Sequence, residues 1–351
     1  FGSMSKSENR LFLQDLIPEM ANEVTGFFNE MEEQKNVHET IFVSLPSYED
    51  TDLVPTIKDL YLKADDETKL HVCVFDQAEI TNKDDVFDKK NLTYLHTHPK
   101  NTKGVGWARN HIQNFYTNET YFLSLDSHMR FEKGWDTTLK NMYKELKVGG
   151  YNPFITNYAP ELIYNHEVDL YEGDLKEWCN PIADHWGSNR GCYVHVEKYT
   201  SYDGKRAKKN ITDDKIGDFF PSPWCSLHFL FTEGKFNNKI RFDPDHFFSG
   251  EEYNVTLRAF THGYDLISPK QHVVYHHYKK DSVKSDPAMQ FVNNTQWADL
   301  DSKGLFNNKM IFTEEPALAS YNYGLGNKRT VDDFVKYMYQ TTGKNISVDL
   351  D

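Results

Sequence analysis

Long apolar runs, paired cysteines and an excess of positive charge are all missing from this 351-residue sequence. No stretch approaches the roughly 18 consecutive apolar residues of a membrane-spanning helix, so we expect no membrane association. Residues 1–3 precede Met4 and are expected to be an expression scar. The segment after Met4 is polar and amphipathic and lacks the apolar centre of a secretory signal, which predicts a cytoplasmic location.

Cysteine is scarce, and its spacing is not that of a metal site. The four cysteines, Cys73, Cys179, Cys192 and Cys225, are far apart and form no Cys-x-x-Cys pair. This spacing disfavours a structural zinc site and a disulfide framework. Reduced, buried thiols of a cytosolic protein are the expectation.

Positive charge is in deficit: 39 Lys and Arg stand against 53 Asp and Glu, for a net charge of −14. Such a chain lacks the basic footprint that sequence-independent nucleic-acid binding requires, so we expect no nucleic-acid partner. If the ligand is itself an anion, local positive charge or a metal ion must outweigh the field of the whole chain.

Patterns typical of strands and helices alternate from residue 41 onward. The apolar run "IFVSL" predicts a buried strand, a helical pattern follows it, and "LHVCVFD" predicts a second strand. Strand, helix and strand at this spacing predict an α/β fold with a parallel sheet. Ligands of such sheets lie beyond the carboxyl ends of the strands. Four polar residues fall at these ends: Ser47, Tyr48, Asp76 and Gln77.

The segment "KGVGWARNHIQNFY" places Gly104 and Gly106 before a predicted helix that carries Arg109. Glycines allow close backbone approach, and a helix N-terminus beside an arginine suits a phosphate or carboxylate. An ordinary loop-to-helix turn explains the same residues equally well.

The segment "YFLSLDSHMRF" predicts a buried central strand that ends in Asp126 and His128. Residues two apart on a strand point to the same side, so this carboxylate and imidazole could bind one ion. A third ligand is needed, and His276 or His277, at the end of "HVVYHHY", could supply it. Oxygen and nitrogen ligands together suit Mn²⁺ or a similar divalent ion. Alternatively, the pair only hydrogen-bonds within a turn.

Two adjacent carboxylates, Glu251 and Glu252, follow Gly250 at the start of a predicted helix. On a helix they point about 100° apart, so at most one of them faces a given cleft. Either could act as a base or accept a hydrogen bond from a sugar hydroxyl. Acidic residues favoured by the helix dipole are the alternative.

Six segments occur along the chain in a characteristic order: "SYEDTDLVPTIKDLYLKA", "KGVGWARN", "YFLSLDSHMRFEKGWDTTL", "FSGEEYNVTLRAFTHGYDLISP", "VVYHHY" and "YGLGNKRTVDDF". In this order they resemble the cytoplasmic polypeptide N-acetylglucosaminyltransferases, which modify hydroxyproline, Ser or Thr on proteins. The Asp-Ser-His element is also similar to that of the mucin-type polypeptide GalNAc-transferases. The resemblance covers roughly residues 41–334. Ser124 stands where the family often has Gln, and residues 161–215 show no clear match.

The resemblance implies a GT-A type nucleotide-sugar-binding fold, a UDP-sugar donor, a divalent metal (Mn²⁺ or Mg²⁺) and transfer with retention of configuration. GlcNAc is the expected sugar, and a protein hydroxyl the expected acceptor. By position, the implied metal ligands are Asp126, His128 and His276. The implied donor-site residues are Ser47, Tyr48, Asp50, Arg109 and Asp126, and we add Asp76 and Gln77 to them from their place at the end of the second strand. The residues implied on the sugar and acceptor side are Trp135, Asp136, Glu251 and Glu252.

The predicted domain organisation follows from the resemblance and the patterns together. Residues 4–38 are expected to form amphipathic helices, residues 39–281 a GT-A catalytic domain, and residues 282–351 an extension packed on it. Residues 161–215 are expected to be an irregular acceptor-side loop. The terminal segments could cap the donor or form a homodimer. Two alternatives stay open: a GT-A transferase with a glycan or small-molecule acceptor, and a catalytically silent binding module of the same fold.

Overall fold

A computed structural model of the chain describes residues 39–83, 89–160, 162–165, 170–173, 178–185, 193–199, 218–277, 297–313 and 321–342. The chain divides after Thr40, and every element described below belongs to the unit Ile41–Asp351. The predicted helices of residues 4–38 and the predicted scar lie outside the described residues.

The strands form one large sheet and three two-stranded ribbons. In chain order they are β1 (Ile41–Tyr48), β2 (Leu70–Gln77), β3 (Leu92–Thr97), β4 (Tyr121–Leu125), β5 (Met129–Phe131), β6 (Pro153–Thr156), β7 (Leu162–Asn165), β8 (Leu170–Gly173), β9 (Trp178–His185), β10 (Tyr193–Tyr199), β11 (Phe219–Pro221), β12 (Phe229–Glu233), β13 (Asp265–Pro269) and β14 (Val274–His276).

Helices connect and cover these strands. They are α1 (Leu53–Lys63), α2 (Val105–Ile112), α3 (Trp135–Val148), α4 (Phe236–Lys239), α5 (Glu251–Thr261), α6 (Trp297–Thr313) and α7 (Val331–Thr342), with short 3₁₀ turns between some of them. None of the helices in the described ranges combines the length and the apolar character that crossing a bilayer requires.

The large sheet has the strand order β3-β2-β1-β4-β12-β6-β13-β11. Strands β1, β2, β3, β4, β6 and β13 run in one direction, and β12 and β11 run against them. The predicted strand–helix–strand unit is present as β1, α1 and β2, with β1 parallel to β2. The predicted α/β class, with a mostly parallel sheet flanked by helices, is therefore confirmed.

Side chains of the central strands alternate between two hydrophobic layers. Val43 and Leu123 belong to one cluster, whereas Phe42 and Phe122 belong to the other, and all four are fully buried. Successive strand residues face opposite sides of a sheet, so an uninterrupted apolar run indicates a strand covered on both faces. This is why "IFVSL" and "YFLSL" form the centre of the sheet.

Two features bring polar residues to one edge of this sheet. The parallel register of β1 and β2 sets Ser47 beside Asp76 and Tyr48 beside Gln77 at the carboxyl ends of both strands. Beyond the end of β4, the short strand β5 pairs with β14 in an antiparallel ribbon, with Met129 opposite His276. The ribbon thus carries the "VVYHHY" segment back to the end of β4.

The prediction that residues 161–215 form an irregular loop is corrected for the parts of that segment that the structure describes, and its acceptor-side role stays a prediction. Strand β7 pairs with β8, and β9 pairs with β10, both antiparallel, within this segment. The density of polar and turn-forming residues hid short strand patterns such as "YVHVEKY", which alternate with the period of two expected for a strand with one polar face.

Trp135 and Asp136, predicted to line the sugar and acceptor side, are structural residues instead. Both side chains are fully buried at the start of α3. The Trp135 indole donates to the carbonyl oxygen of Leu60 (2.9 Å), and Asp136 accepts from the backbone N–H of Asp65 (2.8 Å). They fasten α3 to the chain that leaves α1, because a buried polar group needs its hydrogen bonds satisfied within the protein.

The described parts of the C-terminal region contact α5 and its surroundings. Asn308 of α6 donates from Nδ2 to the carbonyl of Gly250 (2.7 Å), and the Tyr337 hydroxyl of α7 donates to the carbonyl of Ser222 (2.7 Å). The domain boundaries at residues 39 and 281 stay predictions.

The role of Asp136 generates a stability prediction. Asp136→Asn keeps the shape but removes the charge that accepts from Asp65 and pairs with Lys140 at 3.3 Å. We expect a loss of about 1–3 kcal/mol in the free energy of unfolding, measured by urea denaturation. The control Glu145→Gln changes an exposed carboxylate on the same helix and should stay within about 0.5 kcal/mol of the unsubstituted protein. Equal stabilities of the two variants would contradict the structural role.

Candidate metal and donor-binding site

Asp126 is the first residue after β4, at the carboxyl edge of the sheet. Its carboxylate accepts from Arg109 Nη2 at 3.0 Å and lies 3.5 Å from His276 Nε2. Burial alone would raise the pKa of Asp126, but the His276 contact and the Arg109 charge outweigh it and hold the pKa well below its usual range. Asp126 is therefore an ionised carboxylate at neutral pH.

Three ligand-type atoms converge at this point. The Nε2 atoms of His128 and His276 are 3.0 Å apart, and each faces Asp126 Oδ2, at 3.9 and 3.5 Å respectively. Ligands about 2.1–2.2 Å from a shared ion would lie about 3.0–3.6 Å from one another in octahedral or tetrahedral geometry. The observed separations are close to this range, so the three side chains fit one divalent cation.

His128 is held in place by Asp50. Its Nδ1 donates to Asp50 Oδ2 at 2.6 Å, which leaves Nε2 as the nitrogen with a lone pair towards Asp126 and His276. A histidine that binds a metal usually donates its other ring N–H to a carboxylate in this way. Asp50 was predicted to contact the nucleotide; since its oxygens also accept from Ser127 Oγ and from the N–H of Asp52, it orients His128 instead.

The structure distinguishes between the two neighbouring histidines of "VVYHHY". His276 is buried, and its Nε2 faces Asp126, whereas His277 Nδ1 contacts Asp52 Oδ2 at 2.6 Å. Burial lowers the pKa of His276 and so favours the neutral ring that metal binding requires. His276, as predicted, is the one placed to bind an ion beside Asp126.

His228 also reaches this place, and the sequence reasoning missed it. Ligand atoms of Asp126, His228 and His276 lie within 4.8 Å of one another. His228 precedes β12, whose antiparallel register sets Phe229 opposite Leu125 and hence His228 opposite Asp126. No local motif signals this residue, because the contact depends on which strand lies next to β4.

His228 is less available to an ion than His128. Its Nε2 accepts from the backbone N–H of Ala159 at 2.9 Å, and its Nδ1 is 2.6 Å from Ser226 Oγ. Binding an ion through Nε2 would break the bond to Ala159, and the buried N–H left without an acceptor would cost about 1–3 kcal/mol. In the set Asp126, His128 and His276, an ion would replace the contact between the two Nε2 atoms, 3.0 Å apart, and would leave the Ala159 N–H bonded to His228.

Arg109, predicted to contact the donor, connects two carboxylates. It is the fifth residue of α2 and is 3% exposed. Its Nη1 donates to Glu251 Oε2 at 2.6 Å and its Nη2 to Asp126 Oδ1 at 3.0 Å. The guanidinium thus ties the start of α5 to the end of β4, and part of its charge is already neutralised within the protein.

The glycines before α2 serve packing rather than anion binding. The N–H groups of Val105 and Gly106 donate to the carbonyls of Phe247 (2.8 Å) and His246 (3.1 Å), so they are not available to an anion. Gly104 has φ of 98°, and a Cβ there would lie 2.1 Å from the carbonyl oxygen of Phe247. Of the two interpretations that the sequence left open, an anion-binding helix start and an ordinary loop-to-helix turn, the structure contains the ordinary turn.

Glu251 and Glu252 point in different directions, as their spacing on a helix requires. Glu252 accepts from the N–H of Leu227 at 2.9 Å and lies 3.4 Å from the Tyr158 hydroxyl. Burial, followed by the neighbouring charge of Glu251, raises the pKa of Glu252 to about 7. A carboxyl group with this pKa can exchange a proton near neutral pH, which is typical of functional sites.

The polar residues at the ends of β1 and β2 lie side by side, as predicted. Gln77 donates to the carbonyl of Ser47 at 3.0 Å and accepts from Thr102 at 2.5 Å. Asp76 is fully buried; its Oδ2 accepts from the Tyr94 hydroxyl, while its Oδ1, like the Ser47 hydroxyl, has no hydrogen-bond partner within the described residues. Buried polar atoms of this kind call for a further partner.

A family model described as a GlcNAc glycosyltransferase matches residues 77–342. The chain belongs to this family. The predicted enzyme class, a glycosyltransferase, is thereby confirmed, and the mostly parallel α/β sheet agrees with the predicted GT-A type. The match spans α2, the Asp126 and His128 positions, and α5.

Two solved structures show a distant likeness, both at 13% sequence identity. One is GalNAc-T7 with UDP, GalNAc and Mn²⁺ (TM-score 0.49), where the match covers 88% of this chain and 56% of that one. The other is residues 1–349 of TarS from S. aureus (TM-score 0.41), where it covers 86% and 81%. This chain thus spans little more than half of the GalNAc-T7 chain. No curated protein matches the sequence.

The geometry generates a prediction about metal binding. We expect His276→Ala to weaken Mn²⁺ binding at least tenfold, because one of three converging ligands is lost, as measured by the electron paramagnetic resonance signal of free Mn²⁺. The control is His277→Ala, the adjacent residue, whose ring contacts Asp52 rather than Asp126. Equal losses in the two variants, or none in either, would contradict the assignment of the ligands.

Proposed function

We propose that this family member is a metal-dependent, retaining glycosyltransferase that moves GlcNAc from UDP-GlcNAc to a hydroxyl of a protein, on hydroxyproline, Ser or Thr. The observation that carries the proposal is the convergence of Asp126, His128 and His276 at the carboxyl edge of the sheet. Membership of a GlcNAc glycosyltransferase family supports the sugar.

The chemical difficulty of this reaction is the diphosphate leaving group, which gains negative charge as the bond to the sugar breaks. A divalent cation held by these three residues would supply the positive charge that neutralises it. Two imidazoles in the set favour Mn²⁺ over Mg²⁺, because Mg²⁺ prefers oxygen ligands. Arg109, behind Asp126, keeps that carboxylate ionised and oriented.

The edge formed by β1 and β2 is the proposed site of the nucleoside. Ser47 and Asp76 each place a buried polar atom there that lacks a partner among the described residues, and Tyr48 lies beside them in register with Gln77. A uridine presents ring N–H and ribose hydroxyl donors, and a carboxylate oxygen suits either. Ser47, Tyr48, Asp76 and Gln77 thus support a nucleotide donor at this edge. Asp50 would contribute to donor binding indirectly, by orienting His128.

Two mechanisms can retain the configuration of the transferred sugar, and they differ in the role that they give to Glu252. The acceptor hydroxyl can attack the face that the leaving group vacates, with the departing phosphate taking its proton. Alternatively, a carboxylate can form a covalent glycosyl intermediate. Glu252 already accepts from the Leu227 N–H (2.9 Å) and lies 3.4 Å from the Tyr158 hydroxyl, and its raised pKa of about 7 disfavours the ionised form that a nucleophile needs. We therefore favour same-face attack, with Glu252 as a neutral hydrogen-bonding group.

A panel of UDP-sugars tests the function, with UDP release as the signal, in Mn²⁺ and in EDTA. We expect release from UDP-GlcNAc to exceed that from the other donors, to require metal, and to rise when a hydroxyproline, Ser or Thr peptide is added. A glycan or small molecule as the better acceptor would overturn the protein acceptor. Binding without transfer or hydrolysis of any donor would indicate a silent binding module.

The Glu252 carboxyl generates a pH prediction. Raising the pH through about 7 ionises Glu252 and adds negative charge near the donor diphosphate, so the donor KM should rise. Glu252→Gln stays neutral and should lack this step while retaining at least about a tenth of kcat.

The measurement is the donor KM between about pH 6 and 8.5 for the unsubstituted protein, Glu252→Gln and the control Glu145→Gln. The control changes an exposed carboxylate and should keep the step. A loss of kcat of about a thousandfold or more in Glu252→Gln would instead point to a covalent intermediate.

A further inference from the structure

A second cleft lies at the opposite end of α5 from Glu251 and Glu252. Its volume is about 480 Å³, within the range of small-molecule sites. Because α5 has eleven residues, its two ends are roughly 15 Å apart. The lining residues include three that can carry positive charge and none that is acidic; they are Lys239, Arg258, His262, Tyr321, Asn322, Gly324 and Leu325.

Arg258 is the central group of this cleft. It is 2% exposed, and its hydrogen bonds go to neutral oxygens: the carbonyls of Gly324 (3.4 Å) and Arg241 (2.8 Å) and Asn254 Oδ1 (2.9 Å). Its guanidinium also lies over the Tyr323 ring, 5.6 Å from the centroid. Within the described residues, Nη2 has no hydrogen-bond partner, and no carboxylate lies within ion-pair distance.

The one carboxylate whose charge acts on Arg258 among the described residues, that of Asp243, makes no ion pair with it. Asp243 acts on Arg258 only through space, since its Oδ2 accepts from the Tyr321 hydroxyl and from Asn307 Nδ2 (2.9 Å) and its Oδ1 from the N–H of Asp245 (3.0 Å). Burial lowers the pKa of Arg258 to about 10, which leaves it charged at neutral pH. A buried cation without an ion-pair partner is costly and rare in proteins.

Neighbouring groups add to the positive charge. Arg241, whose carbonyl accepts from Arg258, directs its own Nη2 to Asn110 and Asn114 and has no carboxylate partner among the described residues. Lys239 lines the cleft and is paired at 2.6 Å with Glu233, so its charge is partly compensated. Burial lowers the pKa of His262 and favours its neutral ring, even though Nδ1 donates to the carbonyl of Arg258 at 2.7 Å. The excess charge thus belongs mainly to the two arginines.

We propose that this cleft binds a small organic phosphate, with the phosphate on Arg258 and Lys239. A guanidinium with an unbonded nitrogen matches phosphate oxygens in geometry and charge. The cleft is much larger than one phosphate group, and Tyr321, Asn322 and Leu325 supply aromatic, amide and apolar surface for an organic part. The site is separate from the proposed donor site, because the body of α5 lies between them.

The test is isothermal titration calorimetry of the metal-free protein in EDTA. Glycerol 2-phosphate and inorganic phosphate are the probes, with sodium chloride at equal ionic strength as the reference. We expect both to bind and glycerol 2-phosphate to bind more tightly, since only it has an organic part. Absence of binding by both probes at tens of millimolar would overturn the proposal.

Two lysine substitutions test whether the phosphate binds in this cleft. Arg258→Ala could fail to fold, so Lys239→Ala is used, with Lys235→Ala as the control; Lys235 is exposed, just before α4, and does not line the cleft. We expect Lys239→Ala to weaken phosphate binding about five- to tenfold, or about 1–1.4 kcal/mol, and Lys235→Ala to leave it within twofold. Equal effects in the two variants would place the phosphate elsewhere, for example at the donor site, and overturn the proposal.

Discussion

The buried guanidinium of Arg109 connects two elements of the candidate metal and donor-binding site. It holds Asp126, at the end of β4, and Glu251, at the start of α5, in a single hydrogen-bonded unit. The contact with His276 and the charge of Arg109 together hold the pKa of Asp126 well below its usual range and keep the carboxylate in the ionised form that an ion requires. Arg109 lies on α2, whose start packs closely against residues 246–247 through Gly104 and Gly106.

Around this unit, each ligand is oriented by a group outside the ion site. Asp50 fixes the ring of His128, and the β5–β14 ribbon sets the position of His276. This arrangement reconciles an anionic substrate with a chain of net charge −14, because the proposed cation acts locally where the overall field is unfavourable. It also separates the contacts of the two glutamates: Glu251 accepts from Arg109, whereas Glu252 accepts from the Leu227 N–H and lies near the Tyr158 hydroxyl.

The same helix that begins at the proposed reaction centre ends at the Arg258 cleft. Its first turn carries the carboxylates of Glu251 and Glu252 and its last turn carries Arg258, in keeping with the helix dipole, which favours negative charge at the start and positive charge at the end. The described residues of the C-terminal region, which contact α5, complete this second site through Tyr321 and Gly324. An organic phosphate there would bind without entering the donor site.

Features that depend on neighbouring residues in the chain could be predicted from the sequence alone. The buried strands, the strand–helix–strand unit and the polar residues at the ends of β1 and β2 follow from apolar periodicity. The Asp126 and His128 pair follows from the two-residue period of a strand. Predictions for Trp135 and Asp136 failed because position in a matched segment says nothing about which way a side chain faces. The prediction of an irregular loop over residues 161–215 missed the strands described there, because short strands with polar faces resemble loops in their sequence.

Contacts between distant segments of the chain were decided only by the tertiary structure. The antiparallel placement of β12 beside β4 brings His228 opposite Asp126, and Asp50 meets His128 across 78 residues of chain. Arg109 meets Glu251 across 142 residues. A single sequence records which side chains are available and how they repeat along one element. It does not record which elements pack together, since that choice minimises the free energy of the whole sheet and its two apolar layers rather than of any one segment.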